Sequence, residues 1–225
     1  MFRLPNLPSS DTSPDDYDAD RECCLRIFVA SSNPGKLADF STAAEVHGIR
    51  VLPVPGITKI NPPEETGLTF YENACIKANF YSRHANREIV FADDSGFSVN
   101  ALGGAPGVRS ARYAQDAGIV SANPDEANNR LLLEQAAGIP DSERQAAFIC
   151  VIAAARNGET LQTFYGEARG QLLRAPRGTN GFGYDPLFYF LELKKSFAEL
   201  SREEKLKVSH RGEAFRKLLS WLKAS

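Results

Sequence analysis

The stretch that most limits the fold lies at residues 146–168. An apolar run over 146–156 meets Asn157-Gly158 and continues in a second extended run over 160–168. Asn-Gly is the favoured pair for a type I′ turn, in which both central residues take φ > 0 and the turn's twist matches the strands it joins. The stretch therefore predicts a long antiparallel hairpin. What precedes it is different in kind. Residues 25–31 read as a buried strand opening into Ser32-Asn33-Pro34-Gly35-Lys36, after which Leu37, Phe40 and Ala44 keep a helical spacing that Gly48 would end. A second strand at 49–54, a proline-rich crossing at 53–63 and a helix over 69–84 follow, the helix opened by Thr69 and Glu72 as a capping box. A βαβα beginning joined to long antiparallel strands implies an α/β fold with an elongated mixed β-sheet and flanking helices. Asn123-Pro124-Asp125-Glu126 marks a further helix start, 187–191 a further strand, and the stripe Phe215, Leu218, Leu219 and Leu222 a closing helix.

The residues that carry chemistry fall at the junctions between these elements. A strand signal at 89–92 runs into Asp93 and Asp94, then Ser95 and Gly96. Open α/β sheets place their chemistry at strand ends. Successive side chains of an extended chain point to opposite faces, so the two carboxylates should diverge unless a turn at Ser95-Gly96 re-aims one; only one can be the main ligand or base. The glycines of Leu102-Gly103-Gly104-Ala105-Pro106-Gly107 permit φ > 0 and close backbone approach to a ligand. At 31–36 a strand, a turn and a helix N-terminus meet, a junction that favours anions, with Lys36 adding a mobile positive charge. Asn-Pro-Gly is equally good turn chemistry in its own right. The pattern is not a Walker A loop, because Ala30 stands where the first glycine belongs and Leu37 follows the lysine. Glu64 and Glu65 precede the second helix, where carboxylates ordinarily serve the helix dipole. Their interest depends on whether the fold brings them to Asp94. Phe182 and Tyr184 sit on the glycine-flexible segment Gly181-Phe182-Gly183-Tyr184-Asp185-Pro186, and Ser209 as an N-cap would leave His210 and Arg211 either in an anion-favouring first turn or simply beside a cap. His47 and His84 have no evident partners.

Charge narrows the ligand. The chain has 26 basic and 28 acidic residues, a formal net charge of -2. Six of the acids and two of the arginines fall within 1–24, so the remainder is slightly basic. That balance argues against nucleic-acid binding, which shows a pronounced basic face, and suits a small anion held by a few local cations. The 1–24 segment reads as a disordered acidic tail, rich in Ser, Pro and Asp and without the basic start and apolar core of a signal peptide. The longest apolar run, residues 146–155, is far short of the ~20 needed to span a bilayer. Cys23, Cys24, Cys75 and Cys150 show no zinc or C-x-x-C spacing and read as reduced thiols of a cytoplasmic protein.

In order along residues 25–224, the segments 31–36, Glu64 to Gly67, Glu72-Asn73-Ala74, Asp93 to Gly96, Leu102 to Tyr113, Gly181 to Pro186 and Ser209 to Gly212 together resemble the inosine triphosphate pyrophosphatase-like family. The resemblance implies one domain over 25–225, two lobes around a central cleft, a homodimer, and magnesium-dependent hydrolysis of ITP, dITP or XTP to the nucleoside monophosphate and pyrophosphate. It makes Asp94 the catalytic base and a metal ligand, with Glu64 or Glu65 as the other Mg2+ ligand. Ser31, Ser32, Asn33, Pro34, Gly35 and Lys36 would hold the triphosphate, Ser95 and Lys205 would contact substrate, and Phe182, Gly183, Tyr184, Asp185, His210 and Arg211 would form the base pocket. Ser31, Asp39, Asn100 and Gln115 replace the usual Thr, Glu, Asp and Gly; Ser31 keeps the hydroxyl and Asp39 the charge. Residues 190–196 lack the usual Pro and Gly turn, and the acidic tail has no counterpart. A pyrophosphatase of modified pyrimidine nucleotides and a nucleotide sensor without turnover are the alternatives.

Overall fold

The computed structural model describes residues 25–224; the acidic segment, with Cys23 and Cys24, lies outside the described residues. The strands are β1 (Leu25–Val29), β2 (Ile49–Pro53), β3 (Val90–Val99), β4 (Gln145–Arg156), β5 (Glu159–Leu172), β6 (Phe188–Phe190) and β7 (Lys195–Ser196). The helices are α1 (Pro34–Glu45), α2 (Phe70–Ser82), α3 (Tyr113–Asp116), α4 (Pro124–Gln135), α5 (Arg202–Val208) and α6 (His210–Ala224). One seven-stranded sheet runs in the order β2-β1-β3-β4-β5-β6-β7. β1 is parallel to β2 and β3, and every later pairing is antiparallel, which is the mixed sheet expected.

The hairpin forms as read, with Asn157 and Gly158 at φ 55° and 89°. The capping box of Thr69 and Glu72 is complete, and Asn123 caps α4 ahead of Pro124. Boundaries differ where tertiary pairing decides them. β1 stops at Val29 and α2 at Ser82, and β5 extends to Leu172, because β4 pairs with it as far as Gln171 and β6 with Gln171 and Leu172. No turn interrupts Ser95-Gly96: β3 continues to Val99, laddered against β4 through Ser95 opposite Cys150 and Gly96 opposite Ile149. Gly96 is needed for room, since a Cβ there would lie 2.5 Å from both the Gly107 carbonyl and the Ser110 hydroxyl. In the 190–196 segment Lys194 takes the left-handed conformation, φ 53°, between β6 and β7, the role a glycine more often fills.

Alternation along β3 sorts the core. Phe91 faces α1 and α6, its ring 5.0 Å from Phe40 and 5.4 Å from Phe215. Ala92 faces the other way, packing with Ala74 and Ala78 of α2 and Ala153 and Ala155 of β4. These small side chains, with Val151 beside them, let α2 settle close to the sheet. A third cluster, built on Phe97, Phe148, Tyr184, Phe188 and Phe197, fills the far end of the sheet.

Candidate active site

Because β3 is unbroken, Asp93 and Asp94 do emerge on opposite faces of the sheet. Asp93, 4% exposed, accepts two hydrogen bonds from Lys36 Nζ at 3.0 and 2.8 Å and lies 3.5 Å from Arg211 Nε. Ser95, two residues on and so on the same face, donates to Asp93 at 3.3 Å and accepts from Arg211 at 3.2 Å. Burial alone would raise the Asp93 pKa, but Lys36, Arg211 and Lys77 outweigh it and hold the carboxyl well below the usual range. Asp93 is thus a permanent anion that fixes two cations.

Asp94 faces α2 and accepts a hydrogen bond from Lys77 Nζ at 2.7 Å. Glu65 reaches the same nitrogen at 3.3 Å, whereas Glu64 is exposed. The 64–67 segment is folded back onto α2, with the Gly67 amide donating to buried Asn73 at 2.8 Å and the Leu68 and Thr69 amides to Glu72 at 2.7 and 3.0 Å. A Cβ on Gly67 would lie 2.6 Å from Asn73 Oδ1, so glycine is required for that fold-back. Burial raises the Asp94 pKa, with Glu65 and Asp93 adding to it against the opposing pull of Lys77. Burial works against the Lys77 ammonium, but Asp94, Asp93 and Glu65 prevail and raise its pKa. Lys77 was not among the residues expected at the site. The signal was there: it lies on the helix face of Ala74, Ala78 and Tyr81, a buried stripe on which a charge must find a partner.

The 31–36 turn approaches from the neighbouring strand. Ser31 accepts from the Asn33 amide at 3.2 Å, and Asn33 caps α1 by accepting from the Lys36 amide at 3.1 Å. Residues of this turn (Ser31, Ser32, Asn33, Lys36) and of the acid cluster (Glu65, Lys77, Asp93) line one cavity of about 460 Å³. Asn33 and Lys36 also border a second cavity, of about 250 Å³, lined by Ser95, Phe182, Gly183, Tyr184, Asp185, Lys205, His210 and Arg211. Ser31, Ser32, Asn33, Lys36 and Glu65 thus share a chamber with Lys77 and Asp93, and Asn33 and Lys36 also border the base-pocket residues. Asp94 lines neither chamber and is joined to the first through Lys77, whereas Pro34 and Gly35 line a separate cavity of about 650 Å³.

Two glycines seat the His210–Arg211 turn. At Gly166 of β5 a Cβ would be driven into the His210 carbonyl, and at Gly212 into the Leu206 carbonyl, so α6 lies tight between β5 and α5. Ser209 caps the turn, accepting from the Gly212 amide at 3.1 Å. His210 stacks on Phe148 at 4.8 Å, and its Nδ1 is buried with no hydrogen-bond partner among the described residues. Burial, with Arg211 and Lys205 nearby, pushes its pKa well below 6.5 and keeps the ring neutral. Tyr184 is a core residue here, stacked on Phe97 at 5.2 Å and donating to the Ser110 carbonyl at 2.9 Å. The ring left open is Phe182, 48% exposed, with Lys205 Nζ 5.1 Å and the Arg211 guanidinium 5.6 Å from its centre. Asp185 orders this loop, bonding to Lys205 and accepting from the Phe182 amide at 2.9 Å.

The neutral His210 carries a pH signature. Its folded pKa lies below the unfolded value of about 6.5, so its contribution to stability is present above that pH and is lost as pH falls towards the folded pKa, at up to about 1.4 kcal/mol per pH unit. Between pH 7.5 and 5.5 thermal denaturation should show the wild type losing more stability than His210→Phe, which keeps the stack on Phe148 without the proton. Parallel curves for the two proteins would refute the buried-neutral assignment.

The fold and site define an α/β protein in which an anion-favouring helix turn faces lysine-paired carboxylates across one cavity. The chain belongs to the Ham1 family, whose family model matches residues 27–221. A dITP/XTP pyrophosphatase of Acidobacterium capsulatum is 51% identical over 201 residues, 88% of this chain and 98% of that protein. That of Bacillus subtilis is 41% identical over 197 residues, 88% of this chain and 96% of its own. Among solved structures, a HAM1 protein from Coxiella burnetii superposes with a TM-score of 0.79 at 39% identity, covering 89% of this chain and 100% of that one. The resemblance drawn from the motifs is borne out, and so is the α/β class.

Proposed function

We propose that this chain hydrolyses deaminated purine nucleoside triphosphates (ITP, dITP, XTP) between the α and β phosphates, releasing the nucleoside monophosphate and pyrophosphate and so keeping such nucleotides out of DNA and RNA. The observation that carries the reading is the pair of adjoining chambers: an anion-favouring turn and a carboxylate–lysine cluster on one cavity, with a base-sized pocket sharing Asn33 and Lys36. The names of the relatives support the substrate class.

In this reading Ser31, Ser32, Asn33, Pro34, Gly35 and Lys36 cradle the triphosphate, since first-turn amides and a lysine attract phosphate oxygens. Asp94 orients and deprotonates the attacking water; the burial that raises its pKa makes it a stronger proton acceptor. Lys36 and Lys77 offset charge building on the departing pyrophosphate. Glu65 and Asp94 would hold Mg2+. They come from two separate elements and converge on one positive charge, the Lys77 ammonium, and carboxylate oxygens are the donors a hard cation prefers, with substrate phosphates and water filling its remaining positions. When bound, magnesium neutralises crowded phosphate charge and acidifies water. Of the two candidate glutamates this reading takes Glu65, which pairs with Lys77, over the exposed Glu64.

Phe182 offers a face for the base, worth ~1–3 kcal/mol by analogy with base stacking on aromatic side chains. It gives no discrimination. His210 and Arg211 supply polar groups to read O6, and a 6-amino group would leave them unpaired. GTP, which also carries O6, must be rejected at C2. Incubation with ITP, XTP, dITP, ATP, GTP and pyrimidine triphosphates should favour the inosine and xanthosine substrates by ~100-fold or more in kcat/KM. Comparable turnover of ATP or GTP refutes the selectivity, and preference for a pyrimidine would favour the alternative enzyme.

The functional unit in this proposal is one domain over 25–225, two lobes about the shared cavities, acting as a homodimer in the cytoplasm. Among the described residues no helix is long and apolar enough to cross a membrane. Sedimentation velocity giving twice the monomer mass is the expected result for the dimer.

A further inference from the structure

Gly183 is held at both of its backbone polar groups by one helix face. Its amide donates to Asp125 Oδ2 at 2.8 Å, and its carbonyl accepts from Asn129 Nδ2 at 2.9 Å. Asp125 and Asn129 are four residues apart on α4, so they stand one above the other and bracket a single peptide segment. The helix is itself firmly anchored. Asn128, 3% exposed, accepts from the Ala114 amide at 2.8 Å and donates to the carbonyls of Ser110 and Ala111, each at 3.3 Å. Ala127 and Leu132 are buried beneath it.

The loop so clamped has reason to wander without it. Gly181 and Gly183 sit at φ 78° and 60°, and glycine has more backbone freedom to lose than any other residue. Its other ties lie to either side of this span: Asn180 donates to the Ala198 and Leu200 carbonyls, the Phe182 amide to Asp185, and the Tyr184 hydroxyl to the Ser110 carbonyl, so at Gly183 itself the backbone is held by α4. Between them stands the exposed Phe182 ring. From this geometry we infer that Asp125 and Asn129 are positioning residues that hold Phe182 in the orientation that receives the nucleobase, a role that rests on the function proposed above. Neither touches a reacting atom. Their effect is on binding: a loop ordered in advance need not lose its freedom when substrate arrives. Asp125 also borders the smaller cavity, so the clamp forms part of the base-pocket wall.

The test compares Asp125→Ala and Asn129→Ala with Asp125→Asn, which keeps an oxygen able to accept from Gly183. Hydrogen–deuterium exchange over residues 181–184 should quicken in Asp125→Ala by about tenfold, as losing one charge-assisted hydrogen bond predicts. With ITP and magnesium, KM should rise by a similar factor in both alanine variants while kcat holds, and Asp125→Asn should keep most of the wild-type KM. Unaltered exchange in the alanine variants would show that no clamp exists. Faster exchange with KM unmoved, or a loss confined to kcat, would overturn the positioning role and leave the substrate assignment standing. If wild-type protein turned over none of the triphosphates, the functional reading would fail instead, and the clamp would then be judged by exchange alone.

Discussion

Asp94→Asn is expected to lower kcat by about 10²–10⁴-fold, the contribution of a positioned general base. The carboxamide has the same shape and still presents an oxygen to Lys77, so the 2.7 Å contact can persist without the negative charge. The lysine is not stranded either, because Glu65 stays at 3.3 Å. What the variant loses is a proton acceptor and one hard oxygen donor. Pyrophosphate release from ITP should therefore collapse, while calorimetric titration still detects nucleotide and the melting temperature moves little. Retained turnover in a folded Asp94→Asn protein would show that the base lies elsewhere. The partition of the two acids sharpens the test, since Asp93 spends its charge on Lys36 and Arg211 and has no free role as a base.

Gly166→Ala should be a severely damaging single methyl addition beside the site. The new Cβ would collide with the His210 carbonyl and lie 2.6 Å from the Ala214 amide nitrogen, both backbone atoms that cannot swing aside. Overpacking of this kind costs about 1–3 kcal/mol, and more where backbone must move. For a domain of this size each kcal/mol lowers Tm by about 2–4 °C. Relief requires α6 to lift from β5, which carries His210 and Arg211 out of the base pocket, so substrate affinity should fall with stability. A normal Tm together with a normal KM would mean the helix is not seated as described.

Much of the site was legible in residue order because its parts are local devices. Thr69 and Glu72 as a capping box, Asn123 ahead of Pro124 as a helix start, Asn157-Gly158 as a turn: each is decided by atoms a few residues apart. Lys77 escaped notice because its meaning depends on a partner on the strand beneath its helix, although its place among alanines on a buried helix face marked it as a charge in need of one. Tyr184 lines the expected pocket, but as part of its wall and not as an open ring. Composition makes any aromatic on a glycine loop a candidate for stacking, and only packing against Phe97 assigns it to the core.

The chain's own order determined its elements, the mixed sheet they imply, and the divergence of Asp93 from Asp94, since alternation along a strand is a property of the backbone alone. Tertiary structure decided the partners. Lys36 meets Asp93 across 57 positions and Arg211 meets Ser95 across 116. Which of Glu64 and Glu65 turns towards Asp94 likewise followed from the fold-back of Gly67 onto Asn73. Contacts at such separations come from which faces the hydrophobic effect drives together, and that driving force carries no direction of its own. Its outcome depends on shape throughout the core, down to the missing methyl groups of Gly166 and Gly212 that let α6 reach its seat.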